Sequence, residues 1–391
     1  MDLFGNSDEA ISDSDLEDGL SDDMFFDTTD SDHNSQNNLR APCKMTFCMG
    51  HEAQEALFIN LFKNGNIPHA MIFSGIEGIG KTTMAFRLAR FLLKNATQSP
   101  PQDYSDLDVD PQDYAFRLVS SGSHPDMLHI HRGFDNKKEK QDSYIKVESI
   151  RKVAPFLRRT SSNGGWRVVI IEDADTMNRN AQNAILKVLE EPPANVLIIL
   201  IAHRPGMLIP TIHSRARTII FSPLSAMVLE TLLAMSGRDD LSPRDVELLT
   251  QLSEGSIGRA LTYLEGDGLD MTHKVLELMG FAHKREIHKI NEFAMSIGTP
   301  SQDAQYRTFI YTFLWVMRKV LFAKARGYTD LPEYIRNGAT VDLCARQSLE
   351  YLITLNDDIK NIFERVDFSN LDRRDAVRSA LTMLSHSQDN H

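Results

Sequence analysis

Three observations predict an α/β fold built on a parallel, doubly wound sheet and continued by helices alone. A glycine-rich turn at 75–82 separates a short apolar strand from a helix. Apolar runs at 168–171 and 196–202 alternate with stretches of helical spacing, the pattern of strand–helix–strand units. After Pro223 no strand pattern survives.

Residues 52–63 place Ala53, Leu57, Ile59, Leu61 and Phe62 at helical spacing, and 70–74 is an apolar strand. The turn at 75–82 then leads into a helix over 82–93. Residues 95–123 are polar and contain prolines, which predicts a loop excursion. A strand is expected at 127–131 and a helix at 149–158, with Ser149 as its cap. Asn163-Gly164-Gly165 is a turn before the strand 168–171. The helix 180–191 is stopped by Pro192-Pro193, and strands follow at 196–202 and 218–221. Residues 224–264 predict short helices punctuated by Gly255 and Gly258. Longer amphipathic helices follow, for example 306–323 and 345–365.

These shifts divide the chain into four parts: an acidic tail at 1–44, an α/β domain at 45–222, a small helical domain at 223–270 and an all-α domain at 271–391. The 391 residues carry a net charge of −12. Twelve acidic residues and one arginine lie in the first forty, so the body is almost neutral. A tail rich in Asp, Ser and Asn buries too little apolar surface to offset its ordering entropy, and disorder is expected there. Phe4 and the Met24-Phe25-Phe26 cluster are either a docking motif or stray apolar residues in that tail. No apolar run is long enough to span a bilayer, and the acidic N-terminus does not read as a secretory signal. The three cysteines, Cys43, Cys48 and Cys344, are too few for a disulfide framework. A reducing cytoplasm is the expected location. Arg158, Arg159 and Arg167 form a local basic cluster, readable as a nucleic-acid contact or as a solvated helix end.

The turn Gly75-Ile76-Glu77-Gly78-Ile79-Gly80-Lys81-Thr82 fits the phosphate-binding pattern G-x₄-G-K-[ST] between strand and helix. Gly75, Gly78 and Gly80 let backbone N–H groups approach the β-phosphate of ATP or ADP, and the helix N-terminus adds partial positive charge. Lys81 is expected on the β/γ-phosphates, with Thr83 in the same nucleotide-binding set. Thr82 would place its hydroxyl on Mg²⁺. The apolar run 168–171 ends in Glu172 and Asp173. Such a strand end supplies one carboxylate to orient Mg²⁺ and another to polarise the attacking water. In AAA+ ATPases the usual order is Asp then Glu, followed by Ala-Asp. Here Ala174 and Asp175 fix the register, and the first two acids are exchanged. Glu172 is one methylene too long for its place and Asp173 one too short. A displacement of about 1 Å can cost a hundredfold in rate, so binding with slow or absent hydrolysis is expected.

Asn183-Ala-Ile-Leu-Lys-Val-Leu-Glu-Glu-Pro-Pro193, the strand after it, and Leu208-Ile-Pro-Thr-Ile-His-Ser-Arg215 carry a resemblance. Together with Gly50-His51-Glu52-Ala53, the stretch 64–75 and His124-Pro125-Asp126, they resemble the bacterial clamp-loader AAA+ ATPases. Within that group the chain looks most like the delta-prime subunits of DNA polymerase III, over about residues 47–264. The resemblance implies that Arg215 is an arginine finger acting on a neighbouring subunit's γ-phosphate, although Ala216 stands where the family's Ser-Arg-Cys motif has cysteine. It implies that His203 senses the γ-phosphate, or simply caps its strand, and that Arg259 of Gly255-Ser-Ile-Gly-Arg259 touches the chain's own nucleotide. It makes 223–270 a lid and 271–391 an oligomerisation collar. Partners would be the gamma/tau and delta subunits, the sliding clamp and, through the assembly, primed DNA. Many family members hold zinc on four cysteines. This chain has no cysteine between Cys48 and Cys344, so no zinc is expected.

Two further readings remain. The chain could be a gamma/tau-like motor ATPase, which the intact phosphate loop and Arg259 favour and the exchanged acids oppose. An AAA+ adaptor outside replication would require aromatic pore loops, which the sequence does not display. No paired-metal polymerase constellation is present, so any polymerase association would be by assembly.

Overall fold

The computed structural model describes residues 41–386 except 96–103, 136–139, 143, 163, 238–240, 266–267, 300–301, 328–330 and 370–371. The described residues fall into two compact units, dividing between Asp270 and Met271. Most of the acidic tail, with Phe4 and the Met24–Phe26 cluster, lies outside the described residues.

The first unit contains five parallel strands: β1 (Ala70–Ser74), β2 (Met127–Ile130), β5 (Arg167–Ile171), β6 (Val196–Ala202) and β7 (Arg217–Ile220). A two-residue ribbon, β3 (Phe134–Asp135) with β4 (Lys140–Gln141), stands apart from them. The sheet order is β2-β5-β6-β1-β7. Ala70 lies opposite Ile198, and Val169 opposite that same residue from the other side. The strands read as continuous apolar runs because both faces are covered. Successive residues alternate between two cores. Val168 and Ile170 pack with Phe58, Met84 and Phe91, on the side of α1 (Glu52–Lys63) and α2 (Lys81–Lys94). Val169 and Ile171 pack with Ile150, Ile185 and Ile212 on the other side. Because all five strands run in parallel, their C-terminal ends share one edge, where ligands of open α/β sheets bind.

Several local expectations are corrected. The excursion at 95–123 contains a helix, α3 (Tyr114–Ser120), capped by Asp113. It is anchored because Arg90 of α2 is buried with its guanidinium over the Phe116 ring. That same guanidinium donates to the carbonyls of Cys43 and Met45. Residues 42–44, assigned to the tail by composition, therefore form an ordered 3-10 turn. The helix expected over 149–158 is two short ones, α4 (Val147–Arg151) and α5 (Val153–Leu157), and Ser149 caps neither. Arg167 does not join a surface cluster with Arg158 and Arg159. It is buried, donates to the carbonyls of Phe156 and Thr160, and lies 3.5 Å from Asp126.

Past α6 (Arg179–Glu190) and α7 (Pro210–His213), the first unit ends in α8 (Ala226–Met235), α9 (Pro243–Leu252) and α10 (Ile257–Glu265), with no strand among them. The second unit is helical, with Phe309, Phe313 and Trp315 of a long helix (Asp303–Ala325) fully buried and Phe363 edge-on to the two phenylalanines. The helix predicted over 345–365 is broken at Gln347 and Ser348 into Gly338–Arg346 and Leu349–Ser369, since Gln347 adopts an extended conformation. No helix among the described residues is long and apolar enough to cross a membrane.

Asp126 closes the base of the sheet. Its buried carboxylate accepts from the Ser162 amide and from the hydroxyls of Ser161 and Ser162. Asp126→Ala strands these donors and the Arg167 guanidinium. The expected cost is about 3 kcal/mol, read as a lower urea midpoint at unchanged slope. A loss below about 1 kcal/mol would contradict this assignment.

Candidate nucleotide site

The turn after β1 is shaped by close approach. Gly78 and Gly80 have φ of 74° and 103°, in the left-handed region. A Cβ on Gly75 would lie 2.3 Å from the Phe221 carbonyl oxygen. From beneath, buried His51 donates from Nε2 to the Ile79 carbonyl at 2.6 Å, and the Cys48 thiol donates to the Gly80 carbonyl at 3.5 Å. Burial pushes the Cys48 thiol up to about 12, so it stays a neutral donor. His51 was noted only within a motif, and its role as a prop is visible only in three dimensions.

Lys81 is buried, and its ammonium donates to the carbonyls of Gly75 (2.6 Å) and Ile76 (2.5 Å) and to Nδ1 of His203 (2.9 Å). Burial lowers its pKa to about 8, against the opposing pull of Glu77, Asp175, Asp173 and Glu172. It therefore remains mainly charged at neutral pH. An ammonium has no acceptor, so Nδ1 of His203 must accept and Nε2–H must donate. That proton points to Oδ1 of Asp173 at 2.8 Å. His203 follows β6, the strand between β1 and β5, and so bridges the lysine and the carboxylate. Asp175 accepts from the backbone amides of His203 and Arg204, which fixes the strand exit.

The two carboxylates have different partners. Glu172 accepts from the Thr82 hydroxyl on Oε1 at 2.7 Å and from Nε2 of His129 on Oε2 at 3.0 Å. Burial works to raise its pKa, but the hydrogen bond and charge of His129 and the Thr82 hydroxyl bring it below the usual value. Asp173 sits at φ 52° and is buried. Its second oxygen accepts from Arg132 Nε at 2.8 Å. Burial again opposes ionisation, yet the hydrogen bonds from His203 and Arg132 and the Arg132 charge hold its pKa at about 2. His129 and Arg132 were missed as site residues. Their available signal was polar character at the end of an otherwise apolar strand.

The oxygen pair Thr82 Oγ and Glu172 Oε1 suits a hard cation such as Mg²⁺. Among the described residues no group of three or more His, Cys, Asp and Glu side chains could hold a metal ion by themselves. Thr83 is the next residue of α2 and is half-buried. The small helical part meets the phosphate loop directly. The Gly258 amide at the start of α10 donates to the Gly78 carbonyl at 2.9 Å, and a Cβ on Gly78 would lie 2.4 Å from the Ser256 hydroxyl. Arg259 lies one residue further along and is buried, 3.4 Å from Glu254. Arg215 is not part of this cluster. It stands half-buried just past α7, donating to the Thr211 carbonyl and Ser214 hydroxyl and pairing with Glu190 at 3.0 Å.

A five-stranded parallel sheet with a glycine-rich phosphate loop, a carboxylate-bearing strand one position removed and following helices that touch the loop is the arrangement of a P-loop nucleotide-binding domain. Residues 50–225 match the family model described as "DNA polymerase III, delta subunit". The chain is 34% identical over 207 residues to DNA polymerase III subunit delta' of Pseudomonas aeruginosa, covering 48% of this chain and 58% of that protein. It is 28% identical over 234 residues to the delta' subunit of Bacillus subtilis, covering 59% of this chain and 65% of the relative. It is also 28% identical over 241 residues to the tau subunit of Salmonella typhimurium, covering 59% of this chain and 35% of that relative. Over this region the chain resembles the delta-prime subunit of the bacterial clamp loader. The aligned part spans less than two thirds of each of these relatives.

The depressed Asp173 pKa has a consequence for stability. An unfolded aspartate titrates near 3.9. The stabilisation is therefore complete above that pH and is lost as pH falls toward about 2. It amounts to roughly 2 kcal/mol. Asp173→Asn should remove this part of the acid limb, so that its unfolding free energy falls less between pH 4 and pH 2. An acid limb as steep as that of the unsubstituted chain would contradict the pairing of Asp173 with His203 and Arg132.

Proposed function

We propose that this chain is a delta-prime-like subunit of a DNA polymerase III clamp loader, acting in the cytoplasm in DNA replication. It binds ATP or ADP with Mg²⁺, turns ATP over slowly or not at all, and serves as a stator. In the assembly it lies beside a gamma/tau motor subunit and donates Arg215 to that subunit's nucleotide. With the delta subunit, the assembly opens a sliding clamp and places it on primed DNA.

The observation that carries this reading is the contrast between the two carboxylates. Glu172 keeps one oxygen toward Thr82, in the arrangement that a cation-binding pair requires. Asp173 has both oxygens engaged, by His203 and Arg132. A carboxylate that is also one methylene short is poorly placed to polarise water. Gly75, Gly78 and Gly80 would cradle the phosphates, and Lys81 would exchange its loop carbonyls for phosphate oxygens. Thr82 and Glu172 would hold Mg²⁺, which when bound neutralises phosphate charge. His203 and Arg259 would face the terminal phosphate from strand and lid. Residues 45–222 form the nucleotide-binding domain in this proposal, 223–270 the lid and 271–391 the collar.

Arg215 suits transfer to a neighbour. Its side chain is half-buried, 33% exposed, and a guanidinium offers a fixed fork of donors to phosphate oxygens. The competing reading, a gamma/tau-like motor, is favoured by the intact phosphate loop and by the tau relative. The test mixes the chain with the motor and delta subunits, clamp and primed DNA, and compares Arg215→Ala with the unsubstituted chain. Turnover at the adjacent site should fall by roughly 10³-fold while the complex still elutes intact. Unchanged turnover in an intact complex would remove the finger assignment.

A further inference from the structure

Glu172 poses a geometric problem that the exchange of acids creates. Its side chain has one more rotatable bond than the aspartate that usually stands there. An unrestrained carboxylate on that stem would lose rotamer entropy each time it captured a cation. His129 removes this freedom.

The imidazole is in β2, the strand beside β5, so the carboxylate and ring leave neighbouring strands. A carboxylate only accepts, so His129 Nε2 carries the proton that it donates to Oε2 at 3.0 Å. This bond leaves Oε1 turned to the Thr82 hydroxyl at 2.7 Å. The ring is itself held: Phe86 of α2 meets it edge-on with centroids 5.2 Å apart, and the His131 ring lies at the same distance. Phe86 is four residues along α2 from Thr82, so the helix that carries the hydroxyl also steadies the imidazole. We infer that His129 is a positioning residue for the divalent cation. By fixing the longer Glu172 side chain with one oxygen directed to Thr82, it compensates for the exchange of Glu172 and Asp173. This inference rests on the nucleotide-binding reading above and extends it to a residue that touches neither nucleotide nor cation.

The experiment measures the affinity of the full chain for a fluorescent ATP analogue, once in EDTA and once in saturating Mg²⁺. The ratio of the two affinities isolates the cation's contribution. For His129→Ala this ratio should fall about tenfold, the lower end for loss of an outer-shell partner, while the affinity in EDTA stays unchanged. His129→Gln, whose side-chain amide donates from nearly the same place as Nε2, should restore most of the ratio. A purely structural role would lower the melting temperature and depress both affinities together. An unchanged ratio in His129→Ala, with Mg²⁺-dependent binding intact in the unsubstituted chain, overturns the role of His129 alone. Absence of Mg²⁺-dependent binding by the unsubstituted chain overturns the nucleotide-site reading and this inference with it.

Discussion

Two adjacent carboxylates at the end of a buried strand must each find a partner, and the edge of the sheet is organised around that requirement. Burial penalises the charged form of Glu172 and Asp173 alike. The parallel strand order meets the need by bringing the tips of β2, β5, β6 and β1 to one edge. From β2 comes His129 and, just beyond it, Arg132; from β6 comes His203; from the helix after β1 come Lys81 and Thr82. The result is a connected polar chain from the phosphate loop to the second carboxylate, Lys81 to His203 to Asp173 to Arg132. A half-satisfied network here would be costlier than none, because each orphaned charge would sit in a low-dielectric site.

This network changes the meaning of the exchanged acids. In sequence, Glu172-Asp173 reads as an ATPase edge with its two lengths in the wrong places. In three dimensions the longer residue reaches Thr82 and the shorter one is enclosed by cationic and imidazole donors. On the proposed reading, binding is preserved and chemistry is restrained. The contact of α10 with the phosphate loop belongs to the same economy of space. Gly258 and Gly78 meet backbone to backbone, which only residues without side chains allow.

Much of the fold was legible because its signals are local. The strands 70–74 and 196–202 are continuous apolar runs, and the phosphate loop is a contiguous pattern whose turn needs glycine. The helix Tyr114–Ser120 was not legible, because its anchor is Arg90, a distant residue whose burial depends on Phe116 and the carbonyls of Cys43 and Met45. The same long-range contact orders residues 42–44, which composition had grouped with the tail. Arg167 misled for a related reason. Its charge suggests surface, but Asp126, Phe156 and Thr160 accept it inside. Within the candidate site, Lys81, Thr82, Glu172 and Asp173 stand in recognisable order along the chain. His129, Arg132 and His51 do not, since strand pairing and loop packing alone bring them to it.

The central claim is that the encircled Asp173 and extended Glu172 allow nucleotide binding but hold back its hydrolysis. Single-turnover hydrolysis of radiolabelled ATP by the isolated chain, with the bound fraction measured in the same samples, tests it most directly. The account predicts Mg²⁺-dependent binding with cleavage of the bound ATP roughly a hundredfold slower than in a gamma/tau motor subunit under the same conditions. Cleavage at the motor subunit's rate would contradict it and make this chain a motor in its own right.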